Sequence, residues 1–212
     1  MVCMWHWKIG LTYFTELSNL FAAGVVLAQL LADRGKPSAG LKSLSLLKYA
    51  ATVSVIVTFL VFLFVLAPIM PGGILAAYRQ DHYASLCLHV ITPVLTTLDF
   101  LFHDGDHPWR LKQVFFCIVP PICYFIFILV LGASGVRWKG MSAPYPFLNY
   151  SAPAGWFGFM PETAGIFTLG IGVFYTMIVL LALLLLLGWI LLLVMKKFHP
   201  EQQAFCSSNA LQ

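Results

Sequence analysis

Two stretches of this sequence set polar side chains inside otherwise apolar runs. The first, LTYFTELSNLFAAG from Leu11 to Gly24, carries Thr15, Glu16, Ser18 and Asn19. The second, HYASLCLHVITPVLTTLDFLFHD, carries Ser85, His89, Thr92, Thr96 and Asp99 at successive spacings of 4, 3, 4 and 3. Those spacings put the second set on one face of a helix, and by the same rule Thr15, Ser18 and Asn19 share a face. A hydroxyl is a weak nucleophile at neutral pH and needs an adjacent base to take its proton as it attacks. Imidazole is the commonest such base, so Thr15 and His89 are candidates for a nucleophile and its base. The same residue types also serve structure, since membrane threonines bond back to their own helix and histidines pack as polar contacts. Residue type alone leaves both readings open.

The elements that must hold these residues are membrane helices. Of 212 residues, 60% are hydrophobic and 9% charged, and the mean hydropathy is +0.89. A soluble domain carries about 25% charged residues. Spanning a bilayer takes roughly 20 apolar residues, and five runs qualify: Leu11–Ala32, Leu47–Ile69, Tyr83–Phe102, Val114–Leu131 and Ile166–Val194. The expected fold is all-α, a polytopic transmembrane bundle over residues 1–197 followed by a polar tail over 198–212. The opening MVCMWHWKIG lacks a charged start followed by an apolar core, so the first helix is expected to insert as it stands. The net charge of +4 comes from residues between the apolar runs, which excludes a nucleic-acid patch. The five cysteines, Cys3, Cys87, Cys117, Cys123 and Cys206, show neither metal-like spacing nor an even number for a disulfide framework.

Basic residues favour the cytoplasmic side. Lys8, Arg79, Arg137 and Lys139 fall on the side of the N-terminus, and Arg34, Lys36, Lys42, Lys48, Arg110, Lys112, Lys196 and Lys197 on the other. That distribution places the N-terminus and the connection between the fourth and fifth runs outside, in the periplasm, the cell exterior or an organelle lumen, and the tail in the cytoplasm. Thr15 then lies about one turn, and His89 about two turns, from the outer ends of their helices, at depths matching within a few ångströms. The long outer connection carries Trp138, Tyr145, Phe147, Tyr150, Trp156, Phe157 and Phe159, residue types that settle at the membrane interface. It reads as a lid or an interfacial anchor on the Thr15 side.

Other features carry less. Glu16 diverges from Thr15 by about 100° around the helix and suits a structural role. Asp99 lies about 15 Å along the axis from His89, too far to orient its ring, and should pair nearer the cytoplasmic end. HDGDH, His103 to His107, is ordinary turn chemistry rather than a metal site. Pro120 and Pro121 should kink the fourth helix, and LALLLLLGWILLLV reads as lipid-facing helix.

YFTELSNL around Thr15, LHVITPVLTTLDFLF around His89 and PYPFLNY at Pro144–Tyr150 together resemble the androgen-induced family of multispanning membrane proteins and its bacterial relatives. The resemblance spans Tyr13 to Tyr150. It implies a helical bundle that hydrolyses fatty acid esters of hydroxy fatty acids, with the nucleophile on Thr15, its partner on His89, and membrane lipids and a lipid ester as partners. No metal or other cofactor is implied. Asn19 and Ser85 are then candidate oxyanion donors, and Tyr145 and Phe147 candidate substrate contacts. The proline of HVITPV stands one position nearer the histidine than in animal members, so the helix around His89 is expected to have its own geometry. A different class, a channel or transporter with a polar path through Glu16, His89 and Asp99, fits the intramembrane titratable groups but lacks the internal repeat many transporters show. A non-catalytic membrane scaffold is the third reading.

The topology is directly testable. A reporter fused after Gln212 should read cytoplasmic and one inserted in the Pro144–Tyr150 loop should read external; the reverse pattern, or a sixth span, overturns the basic-residue argument.

Overall fold

Inside a bilayer every backbone N–H and C=O must find its partner within the protein, so long apolar runs can only be helices or closed barrels. The computed structural model describes residues 10–33, 40–69, 83–163 and 170–200. Among these, five helices are long and apolar enough to cross a membrane: Phe14–Ala32, Leu44–Leu66, Ala84–His103, Leu111–Ala133 and Val173–Phe198. They are called here the first to fifth spans. The chain is an integral membrane protein of the all-α class; among the described residues its only β pairing is two isolated bridges, Trp138 with Met141 and Phe159 with Ile171. The opening stretch with Cys3 and Lys8, the connections carrying Arg34, Lys36 and Arg79, the expected fifth-run start at Ile166, and the tail with Cys206 lie outside the described residues.

The second span is the axis of the bundle. Seven successive residues, Tyr49 to Val55, are each no more than 4% exposed, so neighbours enclose the helix on all sides. Its small residues permit that closeness. Thr52, Ser54 and Thr58 donate their hydroxyls to the carbonyls of Lys48, Ala50 and Ser54 at 2.8, 2.8 and 3.0 Å, which satisfies polar groups without a partner helix.

Two packed clusters flank this axis. Toward the tail end, Tyr49, Phe100, Trp109, Cys117, Leu192 and Met195 form the larger one, with the Phe100 and Trp109 rings 5.1 Å apart. Toward the Thr15 end, Tyr124, Ile128, Trp138, Tyr145, Leu148 and Val173 form the other. The leucine-rich fifth span therefore departs from the lipid-facing expectation on one stripe: Leu184, Gly188, Leu191, Leu192 and Met195 are buried, while Leu186, Trp189 and Ile190 are exposed. Both faces have the same apolar composition, so no periodicity distinguishes them.

Lys48 also departs from its role as an interfacial topology signal. Its ammonium is 3% exposed and sits 2.6 Å from Asp99 and 2.7 Å from Asp104, while the Gln29 amide donates to Asp104 at 3.1 Å. This joins the first three spans at the tail end and supplies the partner expected for Asp99. Pro120 and Pro121 mark a change of helix type: a 3₁₀ segment Leu111–Ile118 gives way to the α-helix Val119–Ala133. Neither proline can donate to the carbonyl one turn back.

Gly188 shows how close the packing is. A Cβ built there would lie 2.3 Å from the Tyr49 hydroxyl and 3.1 Å from the Cys117 sulfur. Gly188→Ala is expected to lower stability by about 1–3 kcal/mol, the usual cost of overpacking, and so to lower the thermal unfolding midpoint in detergent. Gly24→Ala, where nothing lies within 4 Å, should leave the midpoint unchanged or raise it.

Candidate active site

The first helix begins at Phe14, and its start is held from the long connection and from the fourth span. The Trp138 indole donates to the Thr12 hydroxyl at 2.7 Å and the Tyr124 hydroxyl to the Thr12 carbonyl at 3.0 Å. Thr15 thus occupies the first turn, where backbone N–H groups have no acceptor within the helix. Its N–H donates to the Tyr145 hydroxyl at 3.3 Å, and its own Oγ1 lies 3.4 Å from that phenol oxygen and 3.5 Å from His89 Nε2. Burial pushes the Tyr145 hydroxyl up to about 12, so it keeps its proton.

His89 Nδ1 lies 3.0 Å from the Ser85 carbonyl. A carbonyl only accepts, so Nδ1 carries the proton and donates. In the neutral imidazole Nε2 is then the unprotonated nitrogen, and it faces Thr15. One proton arrangement satisfies all the groups: the Tyr145 hydroxyl accepts from the Thr15 N–H and donates to Thr15 Oγ1, whose hydroxyl donates to His89 Nε2. The 3.5 Å contact is longer than a working hydrogen bond, as is common for catalytic pairs before substrate binds. Phe62 covers one face of the imidazole, with ring centroids 3.7 Å apart.

Helix type fixes where His89 stands. Cys87–Ile91 is a π-helical turn in which the Thr92 N–H donates to the Cys87 carbonyl, five residues back. The next residue, Pro93, has no N–H to continue the pattern, which leaves the Leu88 carbonyl without a backbone donor. The Asn19 amide supplies one at 3.2 Å and donates to the Thr15 carbonyl at 2.8 Å. Phe62–Leu66 is a second π turn of the same form, with the Ala67 N–H donating to the Phe62 carbonyl just before Pro68. Single π turns occur often at functional sites.

Of the residues singled out from sequence, the structure brings His89 and Tyr145 each against Thr15, with Phe147 stacked on Tyr145 at 5.2 Å. Asn19 does not point an N–H at the hydroxyl: both its amide hydrogens go to the carbonyls that tie the first helix to the third. Ser85 lies on the Nδ1 side of the ring, its Oγ 3.5 Å away, and orients the imidazole instead of facing an oxyanion. Ser18 donates to the Thr15 carbonyl at 3.1 Å and meets Thr58 at 3.2 Å. Glu16 Oε2 is buried with no hydrogen-bond partner among the described residues. Asp99 belongs to the Lys48 cluster. Trp138 and Tyr145 are buried under the connection, not spread at the interface, whereas Phe157 and Phe159 are exposed.

Phe62 and Thr58 escaped sequence reasoning. A signal for Phe62 lay in the parallel heptapeptides FLFVLAP and CLHVITP, each a π turn, one residue and a proline; Thr58 lies outside both. Beside Thr15 the bundle holds a cavity with ≈ 640 Å³ of empty space, its open side included. Thr15, Tyr145 and Phe147 stand on its wall together with Val57, Met177 and Leu184, while His89 does not.

Comparison with known protein families, with characterised proteins and with solved structures returns no match to this chain, so its function rests on these residues and their geometry.

Proposed function

We propose that this protein is an intramembrane hydrolase of lipid esters, of the fatty acid ester of hydroxy fatty acid type or similar, with Thr15 as nucleophile and His89 as general base. The observation that carries the reading is the Thr15 hydroxyl 3.5 Å from His89 Nε2, with the other ring nitrogen 3.0 Å from the Ser85 carbonyl, beside an apolar cavity. The resemblance of the Thr15, His89 and Pro144–Tyr150 blocks to the androgen-induced family points the same way. With the N-terminus and long connection on the outer side, the site opens near the outer leaflet.

Thr15 Oγ1 attacks the ester carbonyl carbon as its proton passes to His89 Nε2. Negative charge develops on the carbonyl oxygen. The Thr15 N–H, at the positive end of its helix, and the Tyr145 hydroxyl are the donors nearest the nucleophile. Collapse breaks the ester C–O bond, and His89 returns the proton to the departing alcohol oxygen. Water then attacks the acyl-threonine, gives a proton to His89, and releases the acid as Thr15 Oγ1 recovers its hydrogen.

Thr15→Ala should abolish ester hydrolysis and labelling by an active-site phosphonate probe, while Thr15→Ser should keep a measurable part. His89→Ala should lower turnover roughly 10²–10⁴-fold, the scale of general-base loss, with the unfolding midpoint little changed. Full hydrolysis by Thr15→Ala overturns the reading. Proton-linked transport in vesicles, lost on His89→Ala and unaccompanied by ester cleavage, would move the protein to the transporter class.

A further inference from the structure

The cavity beside Thr15 has a direction. Its wall holds Tyr145 and Phe147 of the long connection, Met177 to Leu184 along the fifth span and Val57 on the second, and by position along their helices Leu184 and Val57 are the lining residues of those two spans farthest from the connection. Leu184 is 2% exposed and its carbonyl accepts from the Cys117 thiol at 3.4 Å, so the far end is a closed floor. His89 is not on this wall; it meets Thr15 Oγ1 from elsewhere.

That asymmetry distinguishes the two halves of an ester. The proton His89 takes from Thr15 must be handed to the departing alcohol oxygen, so the alcohol half has to leave on the His89 side. The acyl half, on the other side of the carbonyl carbon, then points away from His89. On the hydrolase reading above, we infer that the cavity is the acyl-chain pocket, that it takes a straight saturated chain of medium length, and that Leu184 sets the limit.

The length follows from the helix. Met177 and Leu184 are seven residues apart, which is about 10.5 Å of rise. An extended chain advances about 1.2 Å per bond, as a peptide's reach of roughly 3.3–3.6 Å over three backbone bonds shows. The pocket therefore holds about nine carbons. Because the substrate arrives from lipid and not from water, little is gained by burying each methylene; discrimination comes from fit against the floor. A carbon too many in a shaped apolar pocket costs a factor of about 10 or more. The alcohol half meets no such floor and should be tolerated broadly.

The test uses the full chain purified in detergent and two ester series, one varying the acyl chain from two to eighteen carbons on a fixed alcohol, the other varying the alcohol on a fixed acyl group. The acyl series should show an optimum in kcat/KM near eight to ten carbons, and the alcohol series should be nearly flat. Leu184→Ala should move the acyl optimum to longer chains and Val57→Leu to shorter ones, neither changing the alcohol profile. Leu184→Val gives a smaller move in the same direction should the alanine variant fold poorly. A sharp length optimum in the alcohol series, or an acyl optimum that ignores Leu184 and Val57, overturns the assignment. Thermal stabilisation by free saturated fatty acids of the same lengths is read in parallel on the Thr15→Ala protein, where no turnover is needed. Stabilisation that peaks at medium length and moves with Leu184, without turnover by the wild-type chain, keeps the chain pocket and removes the hydrolase reading; stabilisation independent of length and of Leu184 removes the pocket.

Discussion

Pro93 cannot donate a backbone hydrogen bond, and inside a bilayer a carbonyl freed in this way cannot turn to water. The Leu88 carbonyl is instead reached from another helix by Asn19. Because the same amide holds the Thr15 carbonyl, one side chain ties the backbone beside the histidine to the backbone of the threonine. The approach of Thr15 to His89 is thus set by main-chain bookkeeping before either functional group contributes. Ser18 adds the second helix to the same knot through Thr58, and Trp138 from the long connection and Tyr124 from the fourth span hold the start of the first helix.

The two ends of the bundle solve the problem of intramembrane polarity differently. At the Thr15 end hydroxyls, an imidazole and the Asn19 amide are linked by hydrogen bonds, an arrangement that sets a hydroxyl beside an imidazole, while the Glu16 Oε2 is buried there with no partner among the described residues. At the other end the groups are charged, with Lys48 held between two carboxylates. A buried charge is costly unless paired, and that end is accordingly fixed. The second span runs between them, and its enclosure on all sides makes it the surface against which both ends are registered.

Much of this was legible in the sequence because polar residues in apolar runs are rare and their spacing carries direction. The stripe Ser85, His89, Thr92, Thr96, Asp99 and the group Thr15, Ser18, Asn19 gave the faces, and helix rise gave matching depths for Thr15 and His89. What each polar atom is used for was not legible. Asn19 and Ser85 have the chemistry of oxyanion donors, yet backbone carbonyls exposed by a π turn, and the ring nitrogen itself, engage them. Lys48 counts as an interfacial charge until Asp99 and Asp104 are seen around it. The leucines of the fifth span are alike in composition on both faces, so nothing in their pattern showed which one is packed. Phe62 looked like any apolar residue, since nothing in its type announces a ring lying over the histidine.

The Lys48 cluster has a consequence for how the protein enters the membrane. A growing chain presents Lys48 before either aspartate has been made, and a lysine within a membrane helix costs about 2.5–3.5 kcal/mol at the centre of an isolated span, less toward its end. The second span therefore leaves the insertion channel with an unpaid electrostatic debt that only the third span can settle. Biogenesis is best served when those two helices pass into lipid as a hairpin, with the first span, through Gln29, close enough to join them; the order of synthesis and the order of assembly are coupled by a single ammonium group.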